Sequence, residues 1–342
     1  MTDERKTYLD ILRIAAAVFV VAIHVINSGA DASAGADRVL LIALHTLVRT
    51  AVPIFVMISG SLWLDPERNV GAKRVAKGIA RLACAFVVWS AFYAVVQTKL
   101  LEGASLKKAA VAFITGPEHM WFIFMMACLY LLVPILRKVA ESRALVGYFA
   151  ILAVVFTFIL PFTLAVLGSD VLYAVNNKLH FSFTLGFVSY FMIGRFLASA
   201  DLRRWARYVI YALGIAAFAA SVLMTVWLET ESQQFRTVFI NPEHPFVLMQ
   251  AAALFTFGRY ALSKPNYKDR TRRALRAVAG CTFGVYLVHP IVIEVLRRVT
   301  HLEVTSFSAA VTVPAAVLIV FAVSLGISAL IRRIPVLKNY IV

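Results

Sequence analysis

Charged residues and cysteines are both scarce in this sequence. Only 15% of the 342 residues are charged, whereas 61% are hydrophobic and the mean hydropathy is +0.82. Soluble domains carry about 25% charged residues, so this composition excludes an ordinary soluble globular protein. The three cysteines, Cys84, Cys128 and Cys281, have neither paired spacing nor a nearby histidine pattern. Neither a disulfide framework nor a metal site is therefore expected.

Long polar connections and obvious internal repeats are missing as well. The segments between the apolar runs are too short to hold a separate soluble domain. The sequence therefore predicts one membrane domain over residues 1–342. Many transporters are built from two related halves, and no such repeat is visible in this chain.

Basic residues outnumber acidic ones. The chain has 34 Lys and Arg against 18 Asp and Glu, which gives a net charge of +16. In a soluble protein this excess would suggest a nucleic-acid partner. Here the basic residues lie mainly in short loops between apolar runs, where they orient a membrane protein. Membrane lipid is therefore the expected partner, and nucleic acid is not.

Apolar runs of about 20 residues, the length that crosses a bilayer as a helix, recur along the whole chain. The first run contains Arg13 and lacks a small-residue cleavage site, so it is interpreted as a retained span and not as a signal peptide. The sequence predicts an all-α polytopic bundle of about ten transmembrane helices, at 8–28, 39–64, 75–98, 119–137, 146–167, 180–199, 206–228, 244–263, 278–297 and 307–331.

The basic residues also predict the orientation of this bundle. An even number of spans places both termini on the same side of the membrane. The loops on that side carry most of the Lys and Arg, including six basic residues between 264 and 276. Because cytoplasmic loops are enriched in Lys and Arg, both termini are predicted to be cytoplasmic.

Two ionisable residues, Arg13 and His24, lie within the first apolar run. They are eleven residues apart, which on a helix is about 20° past whole turns and about 16 Å along the axis. Both side chains therefore share one face. Ionisable residues inside a membrane helix usually line a site, and this separation is close to the reach of the pantetheine arm of coenzyme A.

Further polar residues are predicted near the two ends of this helix. At the depth of His24 or somewhat deeper are residues from spans two, four, six and nine, namely Arg49, His119, Trp121, His180 and His289. Near the depth of Arg13 are the end of span two and the basic start of span three, namely Ser59, Lys73, Arg74, Lys77 and Arg81. The sequence thus predicts a polar outer cluster and a basic inner rim.

Five segments of the chain resemble the integral-membrane acyltransferase 3 family. They are LDILRIAAAVFVVAIH in span one, VPIFVMISGSLWL in span two, KRVAKGIARL in span three, HMWFIFMMACLYLLVPIL in span four and FGVYLVHP in span nine. They occur in the order typical of the family. The chain is most similar to the short members that have only the membrane unit.

The resemblance implies a fold and an activity. Members move acyl groups, most often acetyl, from a cytoplasmic acyl-CoA onto carbohydrates of the cell envelope, and the Arg and His of span one are essential. The expected function is therefore O-acetylation of an envelope polysaccharide, glycan or glycolipid by a multi-pass protein of the bacterial inner membrane. Acetyl-CoA would be the co-substrate, with no permanently bound cofactor.

The chemistry of acyl transfer suggests a role for each residue. A hydroxyl must lose its proton while the thioester carbonyl develops negative charge. His24 is the candidate base or transient acyl carrier, because the ordinary pKa of imidazole is close to the operating pH. Arg13 stays protonated and can hold phosphate with two hydrogen bonds. It is therefore assigned to the donor with Ser59, Lys73, Arg74, Lys77 and Arg81, and the acceptor is assigned to His119, Trp121, His180, Arg49 and His289.

Structural interpretations of the same residues remain open. Arg13 would reach the interface and pair with Asp10, while His24 would bond a backbone carbonyl in the core. Arg49 would form a structural ion pair. The basic start of span three would follow from the orientation rule. Location at the interface would explain His119 and Trp121, relief of the kink at Pro290 would explain His289, and close packing would explain Ser59 and Gly60.

Two other classes of function use a similar set of polar residues. A transporter or flippase for a lipid-linked sugar also places ionisable groups within the bilayer. Such a protein favours paired broken helices in two related halves, whereas an enzyme favours the pair of Arg13 and His24 beside a basic mouth. A non-catalytic assembly subunit is the third class, and substitution of these residues would change no substrate conversion.

Overall fold

The computed structural model describes residues 6–29, 33–96, 106–167, 181–232, 238–263, 265–300, 306–335 and 337. Within these ranges the chain is helical and contains no strand, which confirms the predicted all-α class. The helices are α1 (Thr7–Asn27), α2 (Gly35–Val48), α3 (Ala51–Trp63), α4 (Ala72–Val96), α5 (Leu106–Thr115), α6 (Trp121–Glu141), α7 (Arg143–Ala153), α8 (Leu160–Leu167), α9 (Phe181–Ser199), α10 (Arg204–Ser232), α11 (Pro245–Ala261), α12 (Asp269–Thr300) and α13 (Ala309–Ile331). Short 3-10 turns at Glu118–Met120 and Val238–Ile240 precede α6 and α11, and a π-turn at Val154–Ile159 joins α7 to α8.

Eight helical stretches within the described residues are long and apolar enough to cross a membrane. The other two predicted spans correspond to α9 and α11, helices of 19 and 17 residues that are not among these eight. A multi-pass membrane bundle is therefore confirmed, and the total of about ten spans stays a prediction.

Predicted span two is divided into two helices. The helix α2 ends at Val48, α3 begins at Ala51, and Arg49 and Thr50 form the turn between them. Pro53 has no N–H to donate to the carbonyl of Arg49, so the sequence itself weakens the helix at this point. Within this turn the Thr50 hydroxyl donates to the carbonyl oxygen of Leu47 at 2.7 Å.

Two other boundaries differ from the prediction. The helix α5 packs against α4 in a region that the apolar pattern left without a span, because its ten residues include Lys107 and Lys108. The helix α12 begins at Asp269, nine residues before the predicted start at 278. Its first turns carry the basic residues that were predicted as a loop. Hydropathy indicates which residues lie within the bilayer, and a helix can extend beyond it.

The helix α1 lies at the centre of the bundle. It contacts α2, α3, α11, α12 and α13. Small and medium side chains allow these close neighbours, and Ala16, Val21 and Ile26 are fully inaccessible. One hydrophobic core surrounds the first half of α1 and a second surrounds its last half. We name the two ends of the bundle after the α1 residues that lie there, the Arg13 end and the His24 end.

The tightest helix contact is between α3 and α9. A Cβ atom on Gly60 would overlap the carbonyl oxygen of Phe191, and one on Gly194 would overlap the backbone of Met57. The two backbones touch without intervening side chains, an arrangement that small residues permit in membrane helices. The close-packing interpretation of Gly60 is therefore confirmed.

Candidate active site

Arg13 and His24 lie on one continuous helix, α1. It runs from Thr7 to Asn27, so the eleven-residue spacing corresponds to about 16 Å along its axis. Both side chains are half-buried within the bundle. The common helix and the common face predicted for these residues are confirmed.

Three histidines from different elements meet at the His24 end. The ring centroids of His24 on α1 and His289 on α12 are 4.9 Å apart. His119, in the turn before α6, lies 5.6 Å from His289 and 6.4 Å from His24. The structure therefore brings His119 and His289, two of the predicted acceptor residues, to the predicted base.

A cavity of about 300 Å³ opens beside these histidines. His24 and His119 line it, and so do Tyr93 of α4 and Glu294 of α12. Glu118 adds a second carboxylate to the wall. The size is at the lower end of that of small-molecule pockets. Imidazoles, a phenol and carboxylates together provide the hydrogen-bond donors and acceptors that a hydroxyl-rich group requires.

Two tyrosines hold the cavity walls together. The Tyr93 hydroxyl donates to the carbonyl oxygen of Leu287 at 2.8 Å, and the Tyr286 hydroxyl donates to that of His119 at 2.6 Å. These bonds tie α4 and the turn before α6 to α12. The rings of Tyr93 and Tyr286 each lie 5.5 Å from the ring of His119. The position of His119 is thus fixed from both sides.

The hydrogen bonds of His289 determine which of its nitrogens carries the proton. Its Nδ1 atom lies 2.7 Å from the carbonyl oxygen of Tyr286 and 3.2 Å from that of Val285. A carbonyl only accepts, so Nδ1 is the protonated nitrogen and Nε2 keeps the lone pair. Among the residues that the structure describes, Nε2 of His289 has no hydrogen-bond partner. The same holds for Nε2 of His119.

Arg49 supplies a positive charge near the histidines. It ends α2 and interacts electrostatically with His24 and with His45, which lies one helical turn earlier. The Nε atom of Arg49 has no hydrogen-bond partner within the described ranges. A fixed cation beside His24 is suited to hold an anion or a developing oxyanion.

A second cluster lies at the Arg13 end. The side chain of Tyr130 on α6 interacts with Arg13, Arg81 and Ser59. Its ring packs at a tilt against Trp63, with the two centroids 4.4 Å apart. Three predicted donor residues, Arg13, Arg81 and Ser59, therefore lie near the side chain of Tyr130.

Aromatic rings support the guanidinium groups around this cluster. Arg74 lies over Trp63 at 5.8 Å from the ring centroid, and Arg81 lies over Phe283 at 5.4 Å. Such cation–π contacts hold the positive charge in place without neutralising it. Lys73 and Lys77 are exposed on α4, and no described contact brings them to the cluster.

Trp121, another predicted acceptor residue, is not part of the cavity wall. Trp121 is 42% exposed and contacts Phe122 and Phe187. His180 lies outside the described residues. In the part of the chain that the structure describes, no group of three or more His, Cys, Asp or Glu has the arrangement of a metal site.

Sequence reasoning missed three residues of the His24 end. They are His45, Tyr93 and Glu294. The one available signal was for His45, which lies four residues before Arg49 and therefore on the same helical face. Tyr93 and Glu294 sit near the ends of long helices, where a polar residue is ordinary. Only the packing of α4 and α12 brings them to His119 and His24.

Comparison with known proteins gives one clear result. A family model described as an acyltransferase domain matches residues 6–333. The match covers all five segments that carried the resemblance in the sequence. No curated protein and no solved structure matches significantly.

Proposed function

The chain belongs to the acyltransferase 3 family and is a membrane acyltransferase, and we propose that it transfers acetyl from cytoplasmic acetyl-CoA to a hydroxyl of an envelope glycan or glycolipid. The observation that carries this proposal is the placement of Arg13 and His24. One helix holds both, and each meets a separate polar cluster at its own end. That separation suits a long donor whose charged part and reactive thioester are far apart.

In the proposed reaction His24 acts as the general base. It faces the cavity, where an acceptor hydroxyl can bind. The hydroxyl oxygen forms a bond to the thioester carbonyl carbon while its proton passes to the imidazole of His24. The carbon–sulfur bond then breaks, and the proton goes to the departing thiolate to give free coenzyme A. The products are the acetyl ester and the thiol.

The charge on Arg49 stabilises the developing oxyanion in this proposal. It lies within electrostatic range of His24, and a fixed cation in a site of low dielectric lowers the energy of a tetrahedral intermediate. His119 lines the cavity, and the buried ring of His289 packs against His24. The unpartnered Nε2 atom of His119 accepts a hydrogen bond from an acceptor hydroxyl in this proposal.

The Arg13 end binds the nucleotide part of the donor. Arg13 and Arg81 supply guanidinium groups for the phosphates, and Tyr130 and Trp63 pack beside them. Lys73, Arg74 and Lys77 add positive charge to the surrounding surface and raise the local concentration of an anionic donor. Acetyl-CoA is thus a co-substrate and not a resident cofactor.

The proposal places the protein in the bacterial inner membrane with both termini in the cytoplasm. The Arg13 end then faces the cytoplasm, where acyl-CoA is made, and the His24 end faces the envelope glycans. All of residues 1–342 act as one membrane domain.

Release of free thiol from acetyl-CoA in membrane vesicles that contain the protein tests the proposed reaction. We expect His24→Gln to reduce release by about 100-fold or more, since general bases contribute about 10²- to 10⁴-fold. His244→Gln is the matched control, because His244 packs among Phe162, Phe239 and Phe246 and not in the cavity. Equal release from the wild type and from His24→Gln, with both folded, would reject the enzymatic proposal.

A further inference from the structure

A second cavity lies directly beside the histidine cavity. It is a groove of about 270 Å³ between α1, α12 and α13 at the His24 end. The two cavities share the wall formed by α1 and α12. His24 lines the first and its neighbour Val25 lines the second, while Ile291 lines the first and Ile293 the second.

The groove is polar at one end and apolar along the rest of its length. Its polar lining residues lie where helices begin or end at the His24 end of the bundle, at Ser28, Thr300 and Thr312. Its wall deeper in the bundle is formed by Ile319 and Val320. From Thr312 to Val320 the helix α13 advances about 12 Å, so the apolar part has room for a hydrocarbon chain.

The groove opens on the outer surface of the bundle. Val311 is 65% exposed and Ile319 is 48% exposed, and both line the groove. In a membrane protein this surface faces lipid. A lipid molecule can therefore enter from the side, with its chain along α13 and its head at the polar end.

One cation marks the polar end of the groove. Arg297 lines it, and the guanidinium of Arg297 pairs with Glu294 at 2.9 Å. Glu294 is also part of the histidine cavity wall. Arg298 pairs with the same carboxylate at 2.6 Å but does not line the groove. A positive charge on the wall of the groove thus stands next to the entrance of the candidate active site.

We propose that the acceptor is a lipid-linked phosphate whose hydrocarbon chain lies in this groove. The phosphate binds Arg297, and the hydroxyl-bearing head passes Glu294 into the cavity beside His24. The inference rests on the proposed acyltransferase function and identifies the chemical class of its acceptor. Two observations support this proposal. They are the charge complementarity between Arg297 and a phosphate, and the wall that the two cavities share.

Binding of dodecyl phosphate to the purified protein tests the groove without any chemistry. Native mass spectrometry of the wild type should show one saturable site. Arg297→Gln should weaken binding about tenfold, because a charge-assisted contact to the phosphate is lost. Ala316→Trp fills the groove and should remove the site.

Two control variants distinguish loss of the groove from the general effects of losing a charge or adding a Trp ring. Arg298→Gln removes an equal charge from the same ion-pair cluster, and Ala322→Trp places the same ring on an exposed position of α13 outside the groove. Both should bind dodecyl phosphate within about twofold of the wild type. Equal losses in Arg297→Gln and Arg298→Gln, or no saturable site in the wild type, would overturn the proposal.

The fate of the acyl group tests the acceptor class. In membranes supplied with radiolabelled acetyl-CoA, we expect label to enter the butanol-extractable lipid fraction first, and Ala316→Trp to lower this incorporation at least tenfold. Label that enters only the water-soluble glycan from the start would overturn the lipid acceptor and still support acyl transfer. The wild type should label both fractions, and His24→Gln should label neither. Label retained in His24→Gln would reject the enzyme, whereas failure of the groove alone would change only which fraction is labelled first.

Discussion

The Nδ1–H group of His289 donates to the carbonyl oxygen of Tyr286 at 2.7 Å. In an unbroken helix that carbonyl would accept from the backbone N–H four residues later, which is the position of Pro290. The imidazole therefore replaces the hydrogen bond that proline cannot make. The structural interpretation of His289 is confirmed by this contact, and the same contact turns the lone pair of Nε2 away from the backbone.

Pro290→Ala should make the protein more stable and less active. Alanine restores the backbone hydrogen bond to Tyr286, and removal of a proline from a helix interior is worth up to about 3 kcal/mol. The His289 ring then loses its fixed orientation, and we expect acetyl transfer to fall about tenfold or more. Thermal unfolding and thiol release measure the two effects.

A double-mutant cycle tests whether Pro290 acts through His289. In a His289→Gln background, Pro290→Ala should change activity little, since the ring that it would release is already gone. Pro314→Ala on α13 is the control for loss of a helix proline elsewhere. Independent, multiplying losses in the double variant would contradict the proposed link.

Arg13→Lys should weaken donor binding and leave turnover nearly unchanged. Lysine keeps the charge and loses the planar fork that holds phosphate with two hydrogen bonds. We expect the KM for acetyl-CoA to rise about tenfold in Arg13→Lys and about 100-fold in Arg13→Gln, because hydrogen bonds to charged groups contribute about 1.5–3 kcal/mol. Arg270→Gln, on an exposed position of α12, should behave as the wild type. A fall in kcat at constant KM would argue against a donor role.

Gly60→Ala should destabilise the fold by about 1–3 kcal/mol or more. Its methyl group would meet the backbone of Phe191, which cannot move away without separating α3 from α9. Gly326→Ala adds the same methyl group to α13, where no atom lies within 4 Å, and should not lower stability. Thermal unfolding in one detergent compares the two variants, and equal midpoints would show that the close contact is unimportant.

Single cysteines test the proposed orientation. In a background with Cys84, Cys128 and Cys281 replaced by alanine, Asn266→Cys should react with an impermeant maleimide only after the cells are opened. Ser306→Cys should react in intact spheroplasts, because its loop follows α12 at the His24 end. The reverse pattern would place the Arg13 end outside and separate it from cytoplasmic acetyl-CoA.

Much of the architecture was readable from hydropathy, and the errors have local causes. The break at Arg49 and Thr50 lies within one long apolar run, so composition alone gave no sign of it. The signal was Pro53, four residues after the carbonyl that it leaves without a partner. The helix α5 was missed because ten residues with two lysines do not resemble a span.

The sequence alone determined the chemistry available along α1. The helical period places Arg13 and His24 on one face about 16 Å apart, and the cost of ionisable groups in a bilayer predicts that both residues line a site. Only the tertiary structure decided which residues meet them. Tyr130 lies near Arg13, His119 and Glu294 line the cavity beside His24, and His289 packs against the His24 ring. These contacts arise because α6 and α12 pack against their neighbours in one particular register. Contacts between distant segments depend on such packing, and no local periodicity in the chain encodes them.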